Sequence, residues 1–546
     1  MIRFLIFASS FLLVLSSCKN EESVSNSSMQ AKGGKTYGGI FKLSIPTKPK
    51  TLFPYASISY YEQQLSSQLY ETLFITDSAA EVRGNLAEKY ELRDKGKTLR
   101  LYLKDNVLFH RSTSKLSSND VLFSLAFACS KSTYNSYAYL LVDKLLGGQA
   151  FYAQTKENKI DLAKFKGVKI ISNLVLDVFL TSPYAQLPKL LTHPNLVVLS
   201  YDDYLRNPTE FFNHAKGTGP FQLSTISEEK TVLSRNNTYW KTDEFGNKLP
   251  FLQSIEAFYS VNESLWFQEG KVDMIQNVSA EKINLLFGSL EDAQSGKNKP
   301  HRLFQLKNKN LNFLVYNTNF PPFNNEQNRI AVDRSIDKVA VCDEVLDGDG
   351  DACLMSFVPS NYYSSLIKEN KKITSKPKFF TGEINLFMKN TTSELGRLWV
   401  KEVAKQIENK TTVKVKIIIG GDADFERMWN NGEIHLTKYN WVADYPDPDS
   451  YLGVFYSKSS VANQLRFYSR QFDDLYLETF KKETKEDCLN AQFSCDRFLI
   501  DHAFVSPIFL QDFIFVVNVN MRDFRISTSG QIDLSTVFYK PIQKLI

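Results

Sequence analysis

INLFMKNTTSELGRLWVKEVAKQIENKTTVKVKIIIG, residues 384–420, carries two periodicities in one stretch. Ile384, Leu386 and Met388 alternate with their neighbours, which is the period of a strand. Thr391 and Glu394 stand three apart, the spacing of a helix-opening capping box. Leu395, Trp399 and Val403 then recur every four residues with Leu398 and Ile407 on the same side, so an amphipathic helix is expected as far as Asn409. Val413, Val415, Ile417 and Ile419 alternate again. Strand, helix, strand makes a βαβ unit, which needs a parallel pair and a right-handed crossover. A second helix is expected from Asp422 to Asn430, ending at the Asn431-Gly432 turn, and a further strand from Ile434 to Trp441. This part of the chain is therefore α/β. Ligands of such sheets bind beyond the carboxyl ends of the strands. Trp441-Val442-Ala443-Asp444-Tyr445 falls at that place.

Outside this unit the elements alternate irregularly. Leu99, Leu101 and Leu103 form a strand pattern. Ser117 to Asp120 opens a helix that carries Val121, Leu125 and Cys129 on one face, so Cys129 reads as a buried free thiol. Strands are expected in 167–180 and 221–235, and one helix over Asn328 to Leu346. No tandem repeat and no Pro/Gly-rich linker divides the chain after residue 37, so its domains should be interwoven. The 546 residues are 43% hydrophobic and 23% charged, a globular balance that excludes wholesale disorder or a fibrous rod. Lys plus Arg is 65 and Asp plus Glu is 60, with the signs interspersed, so no nucleic-acid partner is expected.

The N-terminus reads as an address. MIRFLIFASSFLLVLSSC has Arg3, an apolar run from Phe4 to Leu15, two small residues and then Cys18. The run is too short to span a bilayer and suits a secretory signal. Leu15-Ser16-Ser17-Cys18 resembles a bacterial lipobox, which makes 1–17 a lipoprotein signal peptide and Cys18 the lipidated residue. Residues 18–37 are then the lipidated Cys and a polar, flexible tether that holds the protein to a membrane facing the periplasm or the cell exterior. Export permits disulfides. Cys342 with Cys353, and Cys488 with Cys495, can each close a small loop worth about 2–3 kcal/mol, and other pairings stay open.

Several chemistries lack their residues. The six His show no metal-ligand spacing, and there is no G-x-S-x-G elbow, so neither a metal, nor another cofactor, nor an enzyme activity is expected. Gly34-Lys35-Thr36 ends like a phosphate loop, but Met29 stands where the loop needs glycine. Asp347, Asp349 and Asp351 begin like a calcium loop, but Ala352 and Val358 occupy the positions that need Gly and Glu.

Three groups of segments carry a resemblance. The first is Leu69-Tyr70-Glu71-Thr72-Leu73, Leu86-Ala87-Glu88-Lys89-Tyr90, Leu103 through His110 (LKDNVLFH) and Asn119-Asp120-Val121. The second is Gly217-Thr218-Gly219-Pro220-Phe221 with Arg235 through Trp240 (RNNTYW). The third is Asn440 through Pro448 (NWVADYPDP). In this order and spacing the chain resembles the family 5 extracellular solute-binding proteins, the oligopeptide- and dipeptide-binding components of bacterial ABC importers. Phe313 to Asn317, Arg329-Ile330-Ala331, Ile336-Asp337-Lys338 and Gln471-Phe472-Asp473 support it, and it covers residue 37 to the C-terminus. It departs from the family where Arg111-Ser112-Thr113, in place of Asp-Gly, follows His110, and in the acidic loop 347–351.

The resemblance implies an α/β, two-lobe periplasmic-binding-protein-like fold of type II. It belongs to the large cluster with an extra subdomain, its lobes interwoven and joined by a hinge. Lobe I is expected at 38–72, 185–265 and 490–546, the extra subdomain at 73–184 and lobe II at 266–489, with the chain crossing near 265 and 490. The resemblance also implies a monomer that captures a peptide and delivers it to an ABC permease and its ATPase. Asp444 matches the carboxylate that pairs with the ligand's α-ammonium, Trp441 an aromatic pocket wall, and Tyr445 stands beside them as a third ligand contact. Gly217, Gly219 and Pro220 are expected to set a tight turn. The alternatives keep the fold with a nickel chelate or an oligosaccharide as ligand, or make the protein a peptide sensor or chaperone without an importer.

Overall fold

The computed structural model describes residues 29–541 apart from 78, 157–158, 214–215, 261, 277, 279, 296–299, 347–349, 368–379, 483 and 528–529. The signal segment, Cys18, residues 19–28 and most of the acidic 347–351 loop lie outside the described residues. The βαβ unit forms as its periodicity demands. Gly382–Lys389 and Val413–Gly420 pair in parallel, from Gly382 opposite Val413 to Lys389 opposite Gly420. The helix between them, Glu394–Lys410, buries Trp399, Val400, Val403 and Ile407 against Ile384, Leu386 and Ile508. Its cap is Ser393, whose hydroxyl accepts from the Gly396 amide at 3.2 Å, and not Thr391. A turn closed by the Thr392 amide on the Lys389 carbonyl delays the helix start. The helix expected over 328–346 is two, Glu326–Ser335 and Lys338–Leu346, because Ile336 is extended (φ −88°, ψ 118°) and the Asp337 carboxylate caps the second.

Among the described residues these strands belong to one mixed 11-stranded sheet. Its spatial order is Phe221–Ile226, Lys230–Arg235, Ser254–Tyr259, Ile40–Ile45, Met274–Gln276, Val505–Asn518, His301–Tyr316, Leu436–Val442, Gly382–Lys389 and Val413–Gly420. The short Asp351–Ala352 pairs on Val505–Asn518. The two long strands in the middle, His301–Tyr316 and Val505–Asn518, run antiparallel with a register break between Leu306 and Asn310. On one side of the break Val505–Asn518 pairs with Met274–Gln276, which reaches Leu43; on the other, His301–Tyr316 pairs with Leu436–Val442. Residues 265 and 490, where the chain is expected to cross, lie outside these two long strands. Met274–Gln276 still belongs to the first ladder, and the helix Lys485–Asp501 packs on the second side, where Asp496 holds the Phe357 and Val358 amides.

A second sheet, Ala87–Arg93, Thr98–Leu103, Val175–Phe179 and Val168–Ser172 in spatial order, lies within the segment expected to form the extra subdomain. Its helix Ser118–Ala128 opens where expected, on a capping box of Ser117 and Asp120.

The first two groups of segments behind the resemblance meet around one buried carboxylate, Glu71. Glu71 accepts from Thr218 Oγ1 at 2.9 Å, Tyr239 OH at 2.9 Å and Trp240 Nε1 at 2.8 Å, with Lys241 Nζ at 3.1 Å. His110 reads the next turn: its Nδ1 accepts from the Gly217 amide at 3.1 Å and its Nε2 lies 3.0 Å from the Gly219 carbonyl. The glycines are needed for close approach, since a Cβ at Gly217 would stand 2.0 Å from the Leu69 carbonyl oxygen and one at Gly219 2.6 Å from that of Gln68.

Two expectations are corrected here. The last part of the flexible tether is docked: Met29–Gln30 pairs with Thr36–Tyr37 in a small hairpin. Lys35, 6% exposed, explains why, with Nζ 3.2 Å from Asp243, 2.9 Å from Glu244 and 3.5 Å from Asp523. The cysteine pairs are also unjoined: Cys129, Cys342, Cys353, Cys488 and Cys495 are all buried free thiols. Cys488 and Cys495 share the helix Lys485–Asp501, where seven residues rise about 10.5 Å, beyond the ~7 Å Cα reach of a disulfide. Cys342 sits in the helix Lys338–Leu346 and Cys353 beside the sheet, each packed as a small apolar side chain. Burial pushes Cys342 up to about 11 and Cys353 and Cys488 to about 12, so none offers a ready thiolate.

Gly217→Ala should destabilise the fold by about 3 kcal/mol or prevent folding, because backbone must move to admit the methyl; an unchanged melting temperature would contradict the contact. Asp496 gives a pH signature. Burial raises its carboxyl to about 7, above an unfolded value of about 4, so its stabilising contribution is full at pH 4 and lost as pH rises through about 7. Asp496→Asn keeps an acceptor for the two amides. Its chemical-denaturation stability should stay flatter across that window and exceed the parent's by about 3 kcal/mol at pH 8.

Candidate functional site

The strand Leu436–Val442 ends beside the carboxyl end of its parallel neighbour, and the chain leaves it as Ala443-Asp444-Tyr445-Pro446-Asp447-Pro448-Asp449. Two prolines remove amide donors, and side chains build the turn in their place. The Asp447 carboxylate accepts from the Asp449 amide at 3.0 Å and from Gln492 Nε2 at 2.8 Å. The Asp444 amide donates to Ser450 Oγ at 2.9 Å, and Trp441 Nε1 to the Ser450 carbonyl at 2.8 Å. Trp441 is half-buried, its ring held in place by that bond. Tyr445 differs from its expected role. It is 2% exposed and its hydroxyl donates to Asp449 Oδ2 at 2.5 Å, so it braces the turn and does not present its hydroxyl to a ligand.

Residues 137–193 close over this turn from the other side. Asp143 receives Lys458 Nζ at 2.6 Å and Tyr456 OH at 2.5 Å. Burial alone would raise the Asp143 carboxyl, but Lys458 and Tyr456 hold it below the usual range. Lys144 is 3% exposed, with Nζ 3.9 Å from the centre of the Phe480 ring. Burial lowers its ammonium, opposed by the charges of Asp449, Asp143 and Asp447. Lys189 Nζ lies 3.6 Å from Asp447 Oδ2; burial raises that carboxyl, and Lys189 works against the rise. Tyr184 packs edge-on against Phe480 at 5.3 Å. Asp444 faces His193, Nε2 to Oδ2 at 3.4 Å, with its side chain 12% exposed.

The structure thus brings Asp444 and Trp441 together at the strand end and opposes them with groups that the sequence did not single out: Asp143, Lys144, Lys189 and His193. A signal existed for two of them. Asp143-Lys144 interrupts the apolar run from Tyr139 to Leu146, and adjacent opposite charges in such a run are costly unless partnered. Among the described residues, no cluster of His, Cys, Asp and Glu is arranged to hold a metal, and no helix is long and apolar enough to cross a membrane.

Residues 81–463 match the family described as bacterial extracellular solute-binding proteins, family 5. The chain is 22% identical to heme-binding protein A of Haemophilus influenzae over 87% of this chain and 88% of that one. It is 23% identical to the periplasmic oligopeptide-binding protein OppA of Salmonella typhimurium over 79% and 80%. The fold is that of the dipeptide-binding protein of a Pseudoalteromonas species solved with Met-Leu, with TM-score 0.77 and 16% identity over 92% of this chain and 100% of the other. With the long strands joining its two halves, the architecture is the expected type II periplasmic-binding-protein fold. The chain belongs to the family 5 bacterial extracellular solute-binding proteins, and it is a binding protein rather than an enzyme.

Proposed function

We propose that this solute-binding protein captures peptides, with Asp444 pairing with the ligand's α-ammonium and Trp441 walling the adjoining space. The observation that carries this is the state of the three turn acids. Asp447 accepts from Gln492 and lies 3.6 Å from Lys189, and Asp449 Oδ2 accepts from the Tyr445 hydroxyl, whereas the Asp444 side chain, 12% exposed, meets the edge of His193 at 3.4 Å and, among the described residues, pairs with no Lys or Arg. A buried carboxylate in that state favours an incoming ammonium, whose charge-assisted bonds are about twice as strong as neutral ones. The names of the relatives agree, and solved neighbours hold the peptides STSA and RPPGFSPFR. In this reading the register break on the two long strands is the hinge. Lobe II then starts beyond residue 306 and returns to lobe I near residue 511. Cys18 carries the lipid anchor, and the loaded monomer docks on an ABC permease served by an ATPase.

A second reading keeps the fold and changes the ligand, because one relative is named for heme and one solved neighbour holds agropinic acid. Native mass spectrometry of the purified protein separates the two: a peptide mass series supports the first, a single non-peptide mass the second.

Asp444→Asn should weaken peptide binding in calorimetry by about 30-fold or more while leaving the melting temperature near the parent's; equal affinity would refute the assignment. Cys18→Ser should move the exported protein from the membrane to the soluble fraction and abolish labelling by a fatty-acid probe. Persistence in the membrane fraction would refute the anchor.

A further inference from the structure

His193 is 0% exposed and stands across the closure from Asp444. Its Nδ1 accepts from the Asn195 amide at 3.1 Å, which leaves the proton of the neutral ring on Nε2. Nε2 faces Asp444 Oδ2 at 3.4 Å and has no hydrogen-bond partner among the described residues. The ring is fixed between two others, Tyr137 at 5.1 Å and Tyr445 at 5.8 Å between centres. Tyr137 is itself held by its hydroxyl, which donates to the Ser57 carbonyl at 2.8 Å.

Buried polar atoms in folded proteins are almost always satisfied, so an unmatched imidazole N–H opposite an under-partnered carboxylate calls for a cause. A distance of 3.4 Å is long for an N–H donor and a carboxylate, which settle at about 2.7–2.9 Å when nothing prevents it. The ring packs between Tyr137 and Tyr445, and the Asp444 amide is tied to Ser450 Oγ. The two groups are held close enough to attract and too far to bond well.

We propose that His193 is the built-in occupant of the ammonium position at Asp444. In the absence of ligand its Nε2–H faces Asp444 where the α-ammonium of a ligand would stand. A ligand must take Asp444 from it. This rests on the reading of Asp444 given above. The exchange favours the ligand, since an ammonium brings a full charge and three donors where the neutral imidazole brings one. The loose geometry keeps the occupant easy to displace. The cost is that the empty protein spends part of its time in a form that cannot accept ligand, which lowers the apparent affinity by the competent fraction.

The test uses the full chain and tri-alanine as probe. His193→Asn retains an acceptor for the Asn195 amide and removes the group that reaches Asp444. His193→Gln keeps a donor near the place of Nε2. The His193→Asn protein should bind tri-alanine about three- to tenfold more tightly than the parent, and the His193→Gln protein about equally. Equal or weaker binding by His193→Asn overturns the proposal. Asp444→Asn run in parallel separates the two failures. If it loses binding while His193→Asn changes nothing, the occupant is wrong and the ammonium site stands. If it binds normally, the ammonium site itself is wrong. A second readout does not depend on a variant folding. With histidines labelled with ¹⁵N, the Nε2 resonance of His193 should shift on saturation with tri-alanine, and an unmoved resonance overturns the proposal.

Discussion

The antiparallel ladder between His301–Tyr316 and Val505–Asn518 is the constraint on which the molecule depends. Each strand is long enough to serve two ladders, and each is built for burial: Leu311, Phe313, Leu314, Val315, Ile508, Phe509 and Phe515 are all nearly inaccessible. Backbone bonds in such a setting cannot be exchanged for water without leaving buried donors and acceptors unmatched. The break between Leu306 and Asn310 is thus a place where the ladder is interrupted while the chain stays continuous. The strand end that carries Asp444 is positioned by the part of the sheet built around the βαβ unit.

A second balance lies across the closure. Burying Lys144 is costly, and what makes it tolerable is the company of Asp143, Asp447 and Asp449 with the face of the Phe480 ring. The acids need the lysines in turn, since Asp447 is raised by burial and relieved by Lys189. Removing one partner of such a set generally harms more than the set itself contributes. The charges therefore specify how the two sides meet, and one position in the pattern, Asp444, is left with the weakest partner.

The α/β unit was legible because both of its periodicities are long and uninterrupted. Even there the helix start moved from Thr391 to Ser393, since a local turn outbid the capping-box spacing. The helix break at Ile336-Asp337 had no Gly or Pro to announce it. Glu71 and the glycines at 217 and 219 were read as pieces of a resemblance, and their joint role around one carboxylate needed three dimensions, because Tyr239 and Glu71 are far apart in the chain. Of the proposed site, Asp444 and Trp441 were singled out in the sequence by their place at a strand end and by the resemblance. Tyr445 was misjudged because its neighbour in space, Asp449, turns the hydroxyl inward. His193 gave no signal, since a lone histidine between Thr192 and Pro194 has no spacing to read.

The hairpin at Met29–Tyr37 fixes where the N-terminal chain meets the body. Lys35 locks it to Asp243, Glu244 and Asp523, so residues 29–37 belong to the folded body and not to a linker. The chain that precedes Met29 therefore joins the body at the edge carrying Asp243 and Asp523. A pull applied through that segment would load these ion pairs and the hairpin before it reached the large sheet at Ile40–Ile45.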